Sequence, residues 1–263
     1  MNPLTSSEAP PLDGTPVASA DLRSGLGAAP TLPVFTLNDR IVVVTGGASG
    51  LGLVMGKGIV ETTPRITAHH ADVSDPASVA SCIASILSTH KKIDSLVTSA
   101  GFTENWPATE YPPDRMRRLW SVNVDGTYLF AVEVAKHLME RKAEGSMVFI
   151  GSMSGAIVNV PQPQAPYNAS KAAVRHLASS LAVEWATSGI RVNCISPGYM
   201  LTALTEKILD ARPDLKEKWI SGIPMGRMGN PQDLMGPVTF LLSDASRYVT
   251  GAELRVDGGY TVI

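Results

Sequence analysis

The chain has 263 residues, of which 44% are hydrophobic and 17% charged, and its formal net charge is −2. That length and apolar content suit one sizeable core. Near-neutral charge without a basic run argues against nucleic acid as the main partner, and no apolar stretch reaches membrane-spanning length. The two cysteines, Cys82 and Cys194, fall in a predicted helix and a predicted strand and read as buried free thiols of a reducing compartment. No His/Cys cluster has metal-ligand spacing: His69 and His70 are adjacent and are expected on opposite sides of a strand.

Residues 1–33 are rich in Pro, Ala, Ser and Gly without periodicity and read as a disordered extension before a single domain over 34–263. Glu8, Asp13 and Asp21 against the single cation Arg23 speak against a mitochondrial transit peptide, and no apolar signal core is present, so the cytoplasm is the default location. Buried-strand patterns then recur at 41–45, 66–71, 93–99, 146–151, 191–196 and 253–257. Helical segments near 50–61, 76–90, 113–140, 168–187 and 231–243 fit the gaps. This alternation predicts an α/β fold, a parallel sheet covered on both faces. Asp75-Pro76 and Asn230-Pro231 each supply an N-cap followed by Pro in the first turn.

Two local patterns carry chemistry. Ile41-Val42-Val43-Val44 runs into Thr45-Gly46-Gly47-Ala48-Ser49-Gly50-Leu51-Gly52, a strand, a glycine turn and a helix start. Free backbone N–H groups and the helix dipole make such a junction an anion site, and the glycines let a phosphate come close. Further on, Tyr167 and Lys171 stand four residues apart and share a helix face. A fixed ammonium beside a phenol stabilises the phenolate, which makes tyrosine usable in acid–base chemistry near neutrality.

With these patterns in this order, residues 36–263 resemble the short-chain dehydrogenase/reductase family. The resemblance extends to Asp72-Val73, Ser99-Ala100-Gly101, Asn123 within Val122-Asn123-Val124, Gly151-Ser152, Pro197-Gly198 and Asp257-Gly258-Gly259. It implies a Rossmann-type doubly wound sheet, NAD or NADP as cofactor, and a homo-oligomer, tetramer or dimer. It also implies roles by position. Tyr167 exchanges a proton with the substrate oxygen, Lys171 supports Tyr167 and holds the nicotinamide ribose, Ser152 hydrogen-bonds the reacting oxygen, and Asn123 positions a relay water. Gly46, Ser49, Gly50, Leu51, Gly52, Asp72, Val73, Ala100, Gly101, Pro197, Gly198 and Thr202 complete the implied cofactor contacts. Segment 199–229 corresponds to the family's substrate lid. Gly101 to Asn105, Val160 to Pro166 and Tyr199 to Thr202 look most like fungal polyol dehydrogenases, which implies a sugar alcohol or ketose substrate, D-arabinitol and ribulose foremost. Glu104, Asn105, Gln162, Gln164 and Tyr199 flank the implied active-site mouth as substrate candidates.

Two departures stand out. Ser99 replaces the asparagine usual after the family's fourth strand. More seriously, Glu61-Thr62-Thr63-Pro64-Arg65-Ile66 joins the first helix almost directly to what resembles the third strand, so about thirty family residues, a strand and its helix, are absent. With them goes the side chain that reads the adenosine ribose. An exposed apolar edge is unfavourable, so strand 66–71 is expected to slide in beside the first, giving six strands instead of seven and bringing Asp72 or His70 toward the ribose. Two functional readings follow: an active NAD(P)-dependent polyol dehydrogenase, or an impaired family member that keeps the fold as an oligomer partner or non-functional variant.

Overall fold

The computed structural model describes residues 33–60, 66–210 and 212–263. The expected disordered extension, apart from Pro33, and the shortened junction at 61–65 lie outside the described residues. Five strands form one fully parallel sheet in sequential order: β1 (Val42–Thr45), β2 (Ser95–Thr98), β3 (Gly145–Ile150), β4 (Ile190–Pro197) and β5 (Glu253–Val256). The helices are α1 (Gly50–Ile59), α2 (Pro76–His90), α3 (Pro113–Trp120), α4 (Gly126–Glu140), α5 (Ala165–Trp185), α6 (Ala203–Asp210), α7 (Pro213–Ser221) and α8 (Met235–Leu242). The Asp75 carboxylate caps α2 by accepting from the Ala77 and Ser78 amides.

Strand periodicity sends alternate residues into two cores. Leu96, Met147, Phe149, Val192 and Cys194 pack with α2, α4 and α5 on one face. On the other, Val97, Val148, Ile150 and Ile195 meet Met55 of α1 and Val238 and Leu241 of α8. This is the doubly wound arrangement that the alternation predicts. Both cysteines are free and buried.

The sixth strand does not form among the described residues. Residues 66–71 lie outside the sheet, with Ile66 65% exposed, and β1 pairs only with β2. The segment follows α2 instead. Thr67 Oγ1 lies 3.1 Å from His69 Nε2 and 2.8 Å from His90 Nε2, His69 Nδ1 is 3.0 Å from Ser85 Oγ, and the Asp72 N–H donates to Ser78 Oγ at 2.9 Å. The physical reason lies in composition: 66–70 offers one large apolar side chain, too little burial to hold a strand at the edge, whereas its hydroxyl and imidazole groups find partners on α2. His69 and His70 therefore do not face opposite sides of a strand.

The helix expected over 113–140 forms as one helical run with a π turn inside it. Between α3 and α4, Ser121–Asp125 widens into a π turn that contains Asn123, a device that re-aims side chains at functional sites.

Within β2, the hydroxyls of Ser95 and Thr98 are buried without a hydrogen-bond partner among the described residues. A buried unpaired hydroxyl costs about 1–3 kcal/mol, so Thr98→Val, which keeps the branched shape, is expected to raise stability by about 1 kcal/mol. Urea unfolding measures it; a loss of stability would mean that the hydroxyl is satisfied.

Candidate active site

Because every strand is parallel, all their carboxyl ends lie on one rim, where ligands bind in open α/β sheets. At the β1 end, Gly46 and Gly50 take left-handed φ values of 66° and 53°. A Cβ at Gly46 would stand 2.9 Å from the Ala100 nitrogen, whereas one at Gly50 would face open space. Thr45 Oγ1 accepts from the Ser99 and Ala100 amides, both at 3.1 Å, and binds the two turns together. Ser99 therefore holds its turn through its main chain. Ser49 precedes α1 without capping it, so among the described residues the first-turn amides at Leu51 and Gly52 have no side-chain acceptor. Free donors, a helix N-terminus and an open glycine fit the pyrophosphate of a dinucleotide. On the adenosine side, Asp72 accepts from the Ser74 amide (2.9 Å) and hydroxyl (2.6 Å), which hold its carboxyl below the usual range. Val73 packs against Gly126 at the start of α4.

Four of the predicted residues come together on the same rim. α5 begins at Ala165, so Tyr167 and Lys171 share its first turns, with the Lys171 Nζ 5.8 Å from the Tyr167 ring centroid. Ser152 follows β3 and accepts from the Ser154 amide at 3.1 Å. The turn after it lies against α5, because Gly155 has no Cβ; one there would stand 2.7 Å from the Lys171 carbonyl carbon. Asn123, 1% exposed, binds Phe102 with both ends of its amide: Oδ1 accepts from the N–H and Nδ2 donates to the carbonyl, both at 3.0 Å. Its Nδ2 also donates to Ser170 Oγ at 3.1 Å, while Thr127 Oγ1 donates to its carbonyl at 2.9 Å. Gly101 lies between Asn123 and the Lys171 ammonium.

The electrostatics run against the simplest sequence argument. Burial lowers the Lys171 pKa to about 8, and its Nζ donates to the Ile150 carbonyl at 2.8 Å. Burial raises the Tyr167 phenol, with the Ser152 side chain pulling the other way. Desolvation outweighs the help expected from the lysine charge.

Beside Ser152 and Tyr167 stands a polar wall. Ser154 Oγ donates to Asn159 Oδ1 at 2.6 Å and accepts from Gln164 Nε2 at 3.3 Å, and Asn159 Nδ2 donates to the Tyr199 hydroxyl at 3.2 Å. The Tyr199 ring stacks on Trp219 of α7 with centroids 4.2 Å apart and meets Tyr260 edge-on. The Gln162 amide accepts from Trp219 Nε1 at 3.2 Å in the orientation that satisfies its neighbours. Gln162, Gln164 and Tyr199 thus belong to this wall. Glu104 does not join it, since its carboxylate is held by Arg115 and Tyr111. Asn105 is exposed on the same loop. Gly198 packs on Asp257, and Thr202 bonds to Thr205 at the start of α6. Ser154, Asn159 and Trp219 escaped the sequence reading. Asn159 is 2% exposed between Val158 at 77% and Val160 at 60%, a reversal of the usual polarity that no local pattern announces.

A parallel doubly wound sheet with a glycine-rich anion cradle and a Ser–Tyr–Lys–Asn cluster on one rim defines a dinucleotide-dependent oxidoreductase class. A family model described as enoyl-(acyl carrier protein) reductase matches residues 55–261. The chain is 38% identical to D-arabinitol 2-dehydrogenase (ribulose-forming) of Candida tropicalis over 267 aligned positions, covering 87% of this chain and 95% of that one. That alignment is longer than this whole chain, so the relative carries residues that are absent here. It is also 38% identical to galactitol 2-dehydrogenase (L-tagatose-forming) of Cereibacter sphaeroides, covering 87% and 98%. The crystal structure of a gluconate 5-dehydrogenase from Burkholderia cenocepacia in complex with NADP and tartrate is similar with a TM-score of 0.82 at 30% identity, covering 88% and 98%. The chain belongs to the short-chain dehydrogenase/reductase family, oxidoreductases that use NAD or NADP. No helix among the described residues is long and apolar enough to cross a membrane.

Proposed function

We propose that the chain is an NAD(P)-dependent dehydrogenase that interconverts a sugar alcohol and its ketose, with D-arabinitol and ribulose foremost. The observation that supports this most directly is the wall of Ser154, Asn159, Gln164 and Tyr199 beside Ser152 and Tyr167, because a polyol needs several paired hydroxyls. The two 38%-identical relatives named as polyol dehydrogenases support the same class.

The nicotinamide, when bound, supplies the hydride chemistry. Gly46, Ser49, Gly50, Leu51 and Gly52 would hold the pyrophosphate of the dinucleotide. Tyr167 takes the proton from the secondary alcohol, or returns it to the ketone, and Ser152 hydrogen-bonds the same oxygen. Lys171 supplies the positive charge that favours the phenolate, and Asn123 fixes the Gly101–Phe102 turn beside that lysine. Tyr199 and Trp219 carry segment 199–229, which covers the site and excludes water. The same reading takes the protein as a cytoplasmic homo-oligomer, which light scattering checks for assembly.

A substrate panel of polyols, steroids, acyl-thioester ketones and aliphatic alcohols tests the assignment. Turnover of five- and six-carbon polyols above all others is expected; preference for an apolar ketone would overturn it. The rival reading, an impaired family member, has the loss of an edge strand in its favour. Titration by nicotinamide fluorescence separates the two. Losing one charged contact to the ribose costs about 1.5–3 kcal/mol, so binding about ten- to a hundred-fold weaker than in an intact relative, with little preference between NAD and NADP, is expected. No detectable binding of either cofactor would favour the impaired member.

A further inference from the structure

We propose that Glu104 and Arg115 form a positioning clamp that sets the opening of the substrate cleft, so that Glu104 acts through its loop and not by binding a substrate hydroxyl. The proposal rests on the reading of the cleft as a polyol site and adds two positioning residues to it.

The Glu104 carboxylate is already committed. Arg115 Nε donates to Oε2 at 3.1 Å and Nη2 to Oε1 at 2.5 Å, a planar fork, and the Tyr111 hydroxyl donates to Oε2 at 3.0 Å. The side chain of Glu104 is 17% exposed, that of Arg115 54%. These bonds hold the Glu104 carboxyl below its usual range. The guanidinium also lies over the Trp106 ring, 5.7 Å from its centroid, and Trp106 meets Tyr111 edge-on.

What the clamp holds gives it its role. The 102–106 loop is anchored at one end by Asn123, which bonds both main-chain groups of Phe102. At the other end the Trp106 N–H donates to the Pro163 carbonyl at 2.8 Å, in the segment that carries Gln162 and Gln164 and leads into α5, whose first turn holds Tyr167. Arg115 sits on α3, upstream of Asn123 in the same helical run. The ion pair therefore ties α3 to the loop, and through Trp106 to the polar wall. An exposed ion pair alone does little. A bidentate fork with a third donor and a stacked ring resists a sideways shift of the loop and with it a widening of the cleft.

The test compares Glu104→Gln, Arg115→Gln, their double variant and the exchanged pair Glu104→Arg with Arg115→Glu. KM and kcat are measured for the preferred polyol. Trp106 emission is isolated from that of the other tryptophans by subtracting a Trp106→Phe partner in each background. Expected is an equal rise of about five- to ten-fold in KM for either single variant, a smaller fall in kcat, and a double variant no worse than either single one. Trp106 emission shifts to the red in all three, and the exchanged pair regains most of both losses. A much larger KM effect from Glu104→Gln than from Arg115→Gln, with Trp106 emission unmoved, would mean that Glu104 contacts substrate directly and would overturn the clamp. Unmoved emission and KM in both singles would also overturn it. The emission readout needs no turnover, so a protein that oxidises no polyol would sink the functional reading while the clamp is still judged on Trp106.

Discussion

Tyr167→Phe is expected to lower kcat/KM at least about a hundredfold while leaving thermal unfolding unchanged. General acid–base catalysis contributes on the order of 10²–10⁴ in rate, and phenylalanine removes the hydroxyl proposed to exchange the proton. The ring keeps its packing in the first turn of α5 and its 5.8 Å separation from the Lys171 Nζ. The fold loses little, because among the described residues the phenol has no side-chain hydrogen-bond partner other than Ser152. Retention of more than about a tenth of wild-type turnover would be incompatible with the acid–base role. A large fall in melting temperature would make the activity loss structural.

Lys171→Met is expected to abolish turnover and to change how stability depends on pH. Burial lowers the lysine pKa from 10.5 to about 8 in the folded chain. The unfolded chain then binds more protons between pH 8 and 10.5, so the cost of burying the charged lysine is fully present below pH 8 and disappears as pH rises through that window. The shift corresponds to an order of 3 kcal/mol. Removing the ammonium also leaves the Ile150 carbonyl without its 2.8 Å donor, which costs about 1–3 kcal/mol and offsets the gain at neutral pH. The diagnostic is therefore the slope. Wild-type stability minus that of the variant should be flat below pH 8 and rise by up to about 3 kcal/mol toward pH 10.5, as read from urea unfolding at a series of pH values. A difference that stays flat across the whole window would show that burial does not control this lysine.

These two positions were legible because their chemistry is local. Tyr167 and Lys171 need only one helix to bring them together, and Gly46, Gly50 and Gly52 need only a strand, a turn and a helix start. The two-sided sheet was equally readable, since parallel strands buried on both faces announce themselves as apolar runs between helices. The sequence by itself thus determined the fold class, the anion cradle and the Tyr–Lys pair. Long-range packing decided the rest. Whether 66–71 joins β1 depends on a competition between edge pairing and side-chain partners on α2, and Thr67, His69 and Asp72 settle it toward α2. The π turn at Asn123 sits inside a helical run whose residue pattern gives no sign of it. Asn159 enters the polar wall through Ser154 and Tyr199, the latter 40 residues away. Glu104 is taken by Arg115 because a guanidinium fork and the Tyr111 hydroxyl meet it there. Such choices rest on which groups meet in space, and sequence spacing carries them only where a single helix or turn sets the distance.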